Sequence, residues 1–135
     1  MPIDFSAPVL VVDDHNTTAR IVCNLLKQAG FANVEDAPDA SSALGKMRGK
    51  RYGLVVSDWN LEGMSGYDFL REVRGDPALK ETPFIIITAE SKIEYIIAAR
   101  KAGVSNYILK PFDAPRLKAK IEAVFAAKSK SVSLR

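Results

Sequence analysis

The sequence predicts an α/β domain of three layers, with a five-stranded parallel sheet between two helical layers. Short apolar runs alternate with amphipathic stripes along the whole chain. Several of the runs, such as Val9–Val12 and Phe84–Ile87, are continuously apolar, the pattern of strands buried on both faces. The connections are short, and right-handed crossovers then force the strands parallel with helices on both sides. A chain of 135 residues suffices for one domain with one real core.

The elements follow in order. Val9–Val12 is the first strand. Asn16 is placed to cap a helix with the stripe Ile21, Val22, Leu25, Leu26 and Ala29, which Gly30 stops from the C′ position. Asn33–Ala37 is more polar and reads as an edge strand. Asp39 is placed to cap a helix carrying Leu44 and Met47 and ending near Gly49. Gly53–Ser57 is the third strand. Ser65 starts a helix with Phe69, Leu70 and Val73, broken at Gly75-Asp76-Pro77. Pro83–Ile87 is the fourth strand. Ser91 to Glu94 has the spacing of a capping box and opens a helix running to Gly103. Asn106–Leu109 is the fifth strand. Asp113 is placed to cap a last helix with Leu117, Ile121, Val124 and Phe125 on one face. Residues 1–128 form the domain, and 129–135 read as a flexible, frayed C-terminal tail. No internal repeat or second domain is visible.

Composition bounds the function. Hydrophobic residues make up 47% and charged residues 26% of the chain, as in globular domains. No apolar stretch approaches the roughly 18 residues of a membrane span. Met1–Ala7 lacks the pattern of a signal peptide, so a cytoplasmic location is expected. The single cysteine, Cys23, excludes an internal disulfide or a multi-cysteine metal site, and reads as a small buried hydrophobe. Net charge is +3. Residues 92–135 carry ten Lys/Arg against three Asp/Glu, whereas residues 1–91 carry nine against thirteen. The plain reading is solvated helix faces and a basic tail; the sharper one is a C-terminal surface that attracts an acidic partner.

The chemistry sits at strand ends. Asp13-Asp14, Asp58, Thr88 and Lys110 each follow an apolar run, and the C-terminal edge of a parallel sheet is where ligands bind. Clustered carboxylates repel unless a cation joins them. An oxygen-only donor set suits Mg²⁺, which keeps waters and leaves room for phosphate oxygens. Asp58 is placed to attack a phosphoryl donor and form an acyl phosphate. Lys110 would neutralise charge on the phosphoryl oxygens, and Thr88 would donate a hydrogen bond to one of them. Each residue alone has a plainer reading as a helix cap, a strand end or a Lys-Pro turn; four consistent strand-end placements together argue against coincidence. No Gly-rich phosphate loop is present. His15 reads as an exposed loop residue that nothing nearby orients. Trp59, on a loop at the rim, is expected to be partly exposed and to report on the site.

These residues resemble the receiver domain of bacterial two-component response regulators, over about residues 8–127. Val11-Val12-Asp13-Asp14, Ser57-Asp58-Trp59-Asn60, Thr88-Ala89-Glu90 and Lys110-Pro111-Phe112 are similar to the signature segments of its chemotaxis, CheY-like branch, as is Ile96-Ile97-Ala98-Ala99. The resemblance implies the flavodoxin-like strand order 2-1-3-4-5. It implies that Asp58 is the phosphoacceptor, that Asp14, Asp58 and the backbone carbonyl of Asn60 ligate Mg²⁺ with Asp13 assisting, and that Lys110 contacts the phosphoryl group beside a cis Lys110-Pro111 peptide. Thr88 and Tyr107 would form the switch, with Tyr107 moving from an exposed to a buried rotamer. Asn60 and Glu90 would tune phosphoryl lifetime. In one departure, Glu62 stands where the family usually has proline.

The implied function is that of a stand-alone response regulator. It would take a phosphoryl group from a CheA-like sensor histidine kinase and switch binding to a target, foremost the flagellar motor switch that controls flagellar rotation in chemotaxis. It would not turn over a separate substrate, would be monomeric when unphosphorylated, and would be open to a phosphatase. No nucleic-acid or membrane partner is expected. Two alternatives remain beside it: a receiver acting as a phosphate sink or regulator of a non-motor partner, and a phosphatase of the aspartyl-phosphate type. The latter needs a second carboxylate where this chain has Asn60.

Overall fold

The computed structural model describes residues 4–133. The elements run β1 (Val9–Val12), α1 (Asn16–Gln28), β2 (Val34–Ala37), α2 (Ala40–Gly49), β3 (Leu54–Ser57), α3 (Gly66–Gly75), β4 (Phe84–Thr88), α4 (Ile93–Lys101), β5 (Asn106–Leu109) and α5 (Ala114–Ser133). All strand pairs are parallel, in the order β2-β1-β3-β4-β5. The more polar β2 lies at one edge, as the sequence predicts, and no helix among the described residues is long and apolar enough to cross a membrane.

Strand periodicity divides the core in two. Successive side chains point to opposite faces. Val9, Val11, Leu54, Val56, Ile85, Ile87 and Ile108 pack with Ala19, Val22 and Leu26 of α1 and Leu117, Ile121 and Val124 of α5. Leu10, Val12, Val55, Phe84, Ile86 and Tyr107 pack instead with side chains of α2 and α3 and Ala99 of α4. Truncating a buried leucine or isoleucine of either layer to alanine costs about 2–5 kcal/mol. Arg74 fastens the second layer. Its guanidinium donates to the carbonyls of Gly103, Lys80 and Thr82 at 2.8, 3.0 and 2.6 Å.

Local signals hold at several helix ends. Asp39 accepts from Ser42 N–H at 2.7 Å, Ser65 from Asp68 N–H at 3.1 Å and Asp113 from Arg116 N–H at 2.9 Å. Gly30, at φ +119°, ends α1 as expected: its N–H donates to Lys27 and that of Phe31 to Leu26, the paired bonds of a Schellman turn.

Other signals are overridden. His15, not Asn16, is the N-cap of α1, and it makes no side-chain cap bond; the turn is fixed instead by its backbone N–H on Asp13 Oδ1 at 2.9 Å. The capping box of α4 does not form, because Lys92 is the N-cap and the register slips by one residue. That register sets Tyr95 against Trp59, with ring centroids 4.9 Å apart. A partly buried aromatic contact, with the apolar area it covers, offsets one exposed cap bond of about 1 kcal/mol. Ile21 is 54% exposed rather than part of the buried stripe, which falls on Ala19, Val22 and Leu26. Cys23 is half-buried. The backbone of α5 stays helical to Ser133, beyond the expected boundary at 128, since no glycine or proline interrupts residues 128–133. Residues 134–135 of the expected tail lie outside the described residues.

Candidate functional site

The strand-end residues meet at the C-terminal edge of the sheet. Asp13 N–H donates to Ala37 carbonyl, Asp58 N–H to Val12 carbonyl and Lys110 N–H to Thr88 carbonyl, at 3.1, 3.0 and 2.9 Å. The hydrogen-bond ladder thus runs into the site and fixes where each side chain leaves the sheet. Asp13 and Asp58 are buried, as is Thr88, which closes β4 rather than following it.

Asp58 is held from two sides. Lys110 Nζ donates to Oδ2 at 2.8 Å and Asn60 N–H to Oδ1 at 3.1 Å. The ammonium also stands 4.0 Å from Asp13 Oδ2, so one cation bridges two carboxylates. The loop after Asp58 turns sharply enough that Gly66 N–H donates to Trp59 carbonyl at 2.7 Å. A Cβ on Gly66 would fall 2.1 Å from the Asp58 carbonyl oxygen, so only glycine fits.

Asp13, Asp14 and His15 offer ligand atoms that all lie within 4.8 Å of one another. Burial pushes the Asp13 carboxyl above its ordinary pKa; the His15 N–H opposes this, the nearby Asp58 adds to it, and Lys110 and His15 charge oppose it again. Asp14 Oδ1 is buried with no hydrogen-bond partner, although His15 Nδ1 stands 2.9 Å away without donating to it. A buried carboxylate oxygen that receives no hydrogen bond and faces an exposed imidazole, with a disfavoured neighbouring charge, fits a bound hard cation. His15 is exposed, as expected, yet Asp13 and Asp14 do orient it.

Thr88 and Tyr107 share the α4 side of the sheet: Tyr107 pairs in register with Ile86, and Thr88 lies two residues further along β4. Tyr107 is buried, and its hydroxyl donates to Glu90 carbonyl at 2.9 Å. Burial first, then the Glu90 and Asp58 charges, push its phenol up to about 12. Thr88 Oγ1 accepts from Glu90 N–H at 3.3 Å. Trp59 is 8% exposed, against the expectation of a partly open ring. Tyr67 stacks on it at 5.4 Å, and Tyr95 and Tyr107 meet it edge-on at 4.9 and 6.4 Å. Tyr67 and Tyr95 are the contributors that sequence reasoning missed. Their spacing from Trp59 carries no periodic signal, because three different elements bring the rings together.

Cavity size does not mark this site. A cleft of about 1130 Å³ opens at the opposite sheet edge beside Tyr52 and Pro83, while the void beneath Asp13, Asp58 and Lys110 is only about 10 Å³. The site is a crevice defined by charge.

Residues 9–122 match the family model described as the response regulator receiver domain. The chain belongs to this family. It is CheY-like within it: it is 46% identical over 117 residues to the chemotaxis protein CheY of Pseudomonas aeruginosa, covering 87% of this chain and 94% of that protein. It is 47% identical over 117 residues to chemotaxis protein CheY-3 of Vibrio cholerae, covering 87% and 90%. Among solved structures, the chemotaxis protein CheY4 of Vibrio cholerae superposes with a TM-score of 0.82 at 32% identity, covering 88% of this chain and 98% of that one. The expected CheY-like receiver fold is therefore the observed one. The Lys110-Pro111 peptide is cis, as the resemblance implies.

Proposed function

We propose that this receiver is a phosphorylation switch in chemotaxis, with Asp58 as phosphoacceptor. The observation that carries the reading is Lys110 Nζ at 2.8 Å from Asp58 Oδ2, beside two further carboxylates that lack enough cationic partners. An Asp58 oxygen attacks phosphorus on a phosphohistidine of a sensor kinase. The O–P bond forms as the N–P bond breaks, the imidazole nitrogen leaves with the electron pair, and it takes a proton from solvent. Lys110 holds the nucleophile in place and then neutralises the transferred group. Asp13, Asp14, Asp58 and the Asn60 carbonyl would hold Mg²⁺, which supplies charge neutralisation at the phosphoryl oxygens when bound. Thr88 hydroxyl donates to the new phosphoryl group, and Asn60 and Glu90 border the path of the hydrolytic water.

The switch reaches the α4 surface through Tyr107, whose inward position is tied to Glu90 and so to the loop that Thr88 begins. Ile93 and Ile97 of α4 are 68% and 47% exposed, among exposed Lys92, Arg100 and Lys101. Such a face suits an acidic, partly apolar target, foremost the flagellar motor switch, in the cytoplasm. The protein turns over no separate substrate, is monomeric before phosphorylation, and a phosphatase resets it. The test is phosphotransfer from a labelled sensor kinase, followed by target capture. Label uptake should need Mg²⁺ and vanish in Asp58→Asn, and capture should require the phosphoryl mimic and weaken with salt. Normal uptake by Asp58→Asn would sink the reading; capture of a non-motor partner alone would replace the chemotaxis output.

A further inference from the structure

His15 is the one histidine of the chain, and it directly follows the two carboxylates that open the site. Its ring is 72% exposed, yet it has a definite place. Nδ1 lies 2.9 Å from Asp14 Oδ1 and 3.5 Å from Asp13 Oδ1. The chain around it is held. His15 N–H donates to Asp13 Oδ1 at 2.9 Å, and Asp14 Oδ2 accepts Glu62 N–H at 3.1 Å. Asp14 Oδ1, which faces the imidazole, is buried and receives no hydrogen bond.

These separations are those of neighbouring donors on one ion. Ligands about 2.0–2.2 Å from a cation, at tetrahedral or octahedral angles, lie about 2.8–3.6 Å from each other. Mg²⁺ takes oxygen donors and gains little from an imidazole, whereas Zn²⁺ and its first-row neighbours take imidazole and carboxylate together. Exposure of the ring leaves Nε2 in water. The tautomer with its proton on Nε2 and its lone pair on Nδ1 therefore costs no buried hydrogen bond. An ion held by Asp13, Asp14 and His15 would share carboxylates with Mg²⁺, so the two would exclude one another.

We infer that Asp13, Asp14 and His15 form a site for a divalent first-row transition ion, typified by Zn²⁺, and that His15 Nδ1 is the donor that distinguishes this ion from Mg²⁺. The inference rests on the reading of Asp13 and Asp14 as metal ligands.

The test is calorimetric titration of Zn²⁺ and of Mg²⁺ into the untagged full chain, with nitrogen NMR of the imidazole, whose signals come from His15 alone. A Cys23→Ser background removes the thiol. Zn²⁺ should move the Nδ1 resonance to the position of a ligated nitrogen, and Mg²⁺ should not. His15→Ala, at an exposed position, should weaken Zn²⁺ by about tenfold or more and leave Mg²⁺ within about twofold. Asp14→Asn should weaken both, and added Mg²⁺ should lower the apparent Zn²⁺ affinity. Equal Zn²⁺ affinity in wild type and His15→Ala overturns the inference, as does Zn²⁺ binding that Asp14→Asn leaves intact. An equal loss of both ions in His15→Ala also overturns it, because the ring would then be a general support. So does tighter Mg²⁺ binding in His15→Ala with Zn²⁺ unchanged, because the ring would then be a resident cation paired with Asp14. Mg²⁺ binding without Zn²⁺ binding leaves the Mg²⁺ reading standing and sinks this inference; Zn²⁺ binding through His15 without Mg²⁺ binding does the reverse.

Discussion

Gly66 joins the site to the scaffold at the scale of one residue. The first turn of α3 passes so near β3 that a single methyl group at position 66 would overlap the Asp58 carbonyl. Relief requires moving either α3 or the loop that holds Asp58. Gly66→Ala should therefore cost about 1–3 kcal/mol or more, read as a fall in the urea midpoint at unchanged slope, and should slow phosphoryl uptake. A variant of wild-type stability would show that the loop yields freely. Several residue-scale placements were legible in the sequence. Asp13, Asp58, Thr88 and Lys110 stand out because a strand end is a definite place in a parallel sheet. The bond from Glu62 N–H to Asp14 was not legible, since a backbone N–H has no signature in the side-chain alphabet.

Among the elements, α4 shows how packing overrides local code. The serine and glutamate spacing of a capping box is present at 91–94, and the helix starts one residue later to set Tyr95 on Trp59. The same kind of override leaves Ile21 on the outside of α1. Period and capping signals assign an element's type, but the neighbour across the gap decides its final rotation, and that neighbour is distant in sequence. Tyr95→Ala should open the indole to water: Trp59 emission should shift to the red, with a stability loss of about 1–3 kcal/mol. Unchanged emission would mean that Tyr67 and Tyr107 shield the ring by themselves. Since Trp59 follows Asp58 directly, a contact from α4 onto it links the strand-end site to that helix by packing alone.

For the whole molecule, the three layers and the parallel sheet were the most legible features, because continuous apolar runs and short connections leave few topologies; the strand order came only with the family resemblance. The pH response was not legible, since it depends on pairs such as Glu35 with Lys50 and Tyr52. Glu35 accepts from Tyr52 hydroxyl at 2.8 Å and pairs closely with Lys50. The Lys50 and Tyr52 hydrogen bonds hold its carboxyl below the ordinary value of 4.5. The folded state thus favours the charged form, and the stabilisation is full above pH 4.5 and lost as pH falls through the lower folded value. The group is about a third exposed, so screening limits the effect to about 1 kcal/mol or less. Urea unfolding of wild type and Glu35→Gln should differ at pH 6 and converge toward pH 3; an equal gap at both would refute the linkage. The sheet also has a consequence for how such a protein diversifies. It keeps the α1–α5 packing layer apart from the layer holding Tyr107 and Trp59. Substitutions in the first layer, apart from Val11, Val22, Val56 and Ile87 beneath the strand-end site, should bear on folding, while those in the second should bear also on the proposed switch. Side chains of the two layers fall in separate contact clusters, so epistasis between them should be weak where no partner is shared, and a lineage can change what it talks to without renegotiating how it stands.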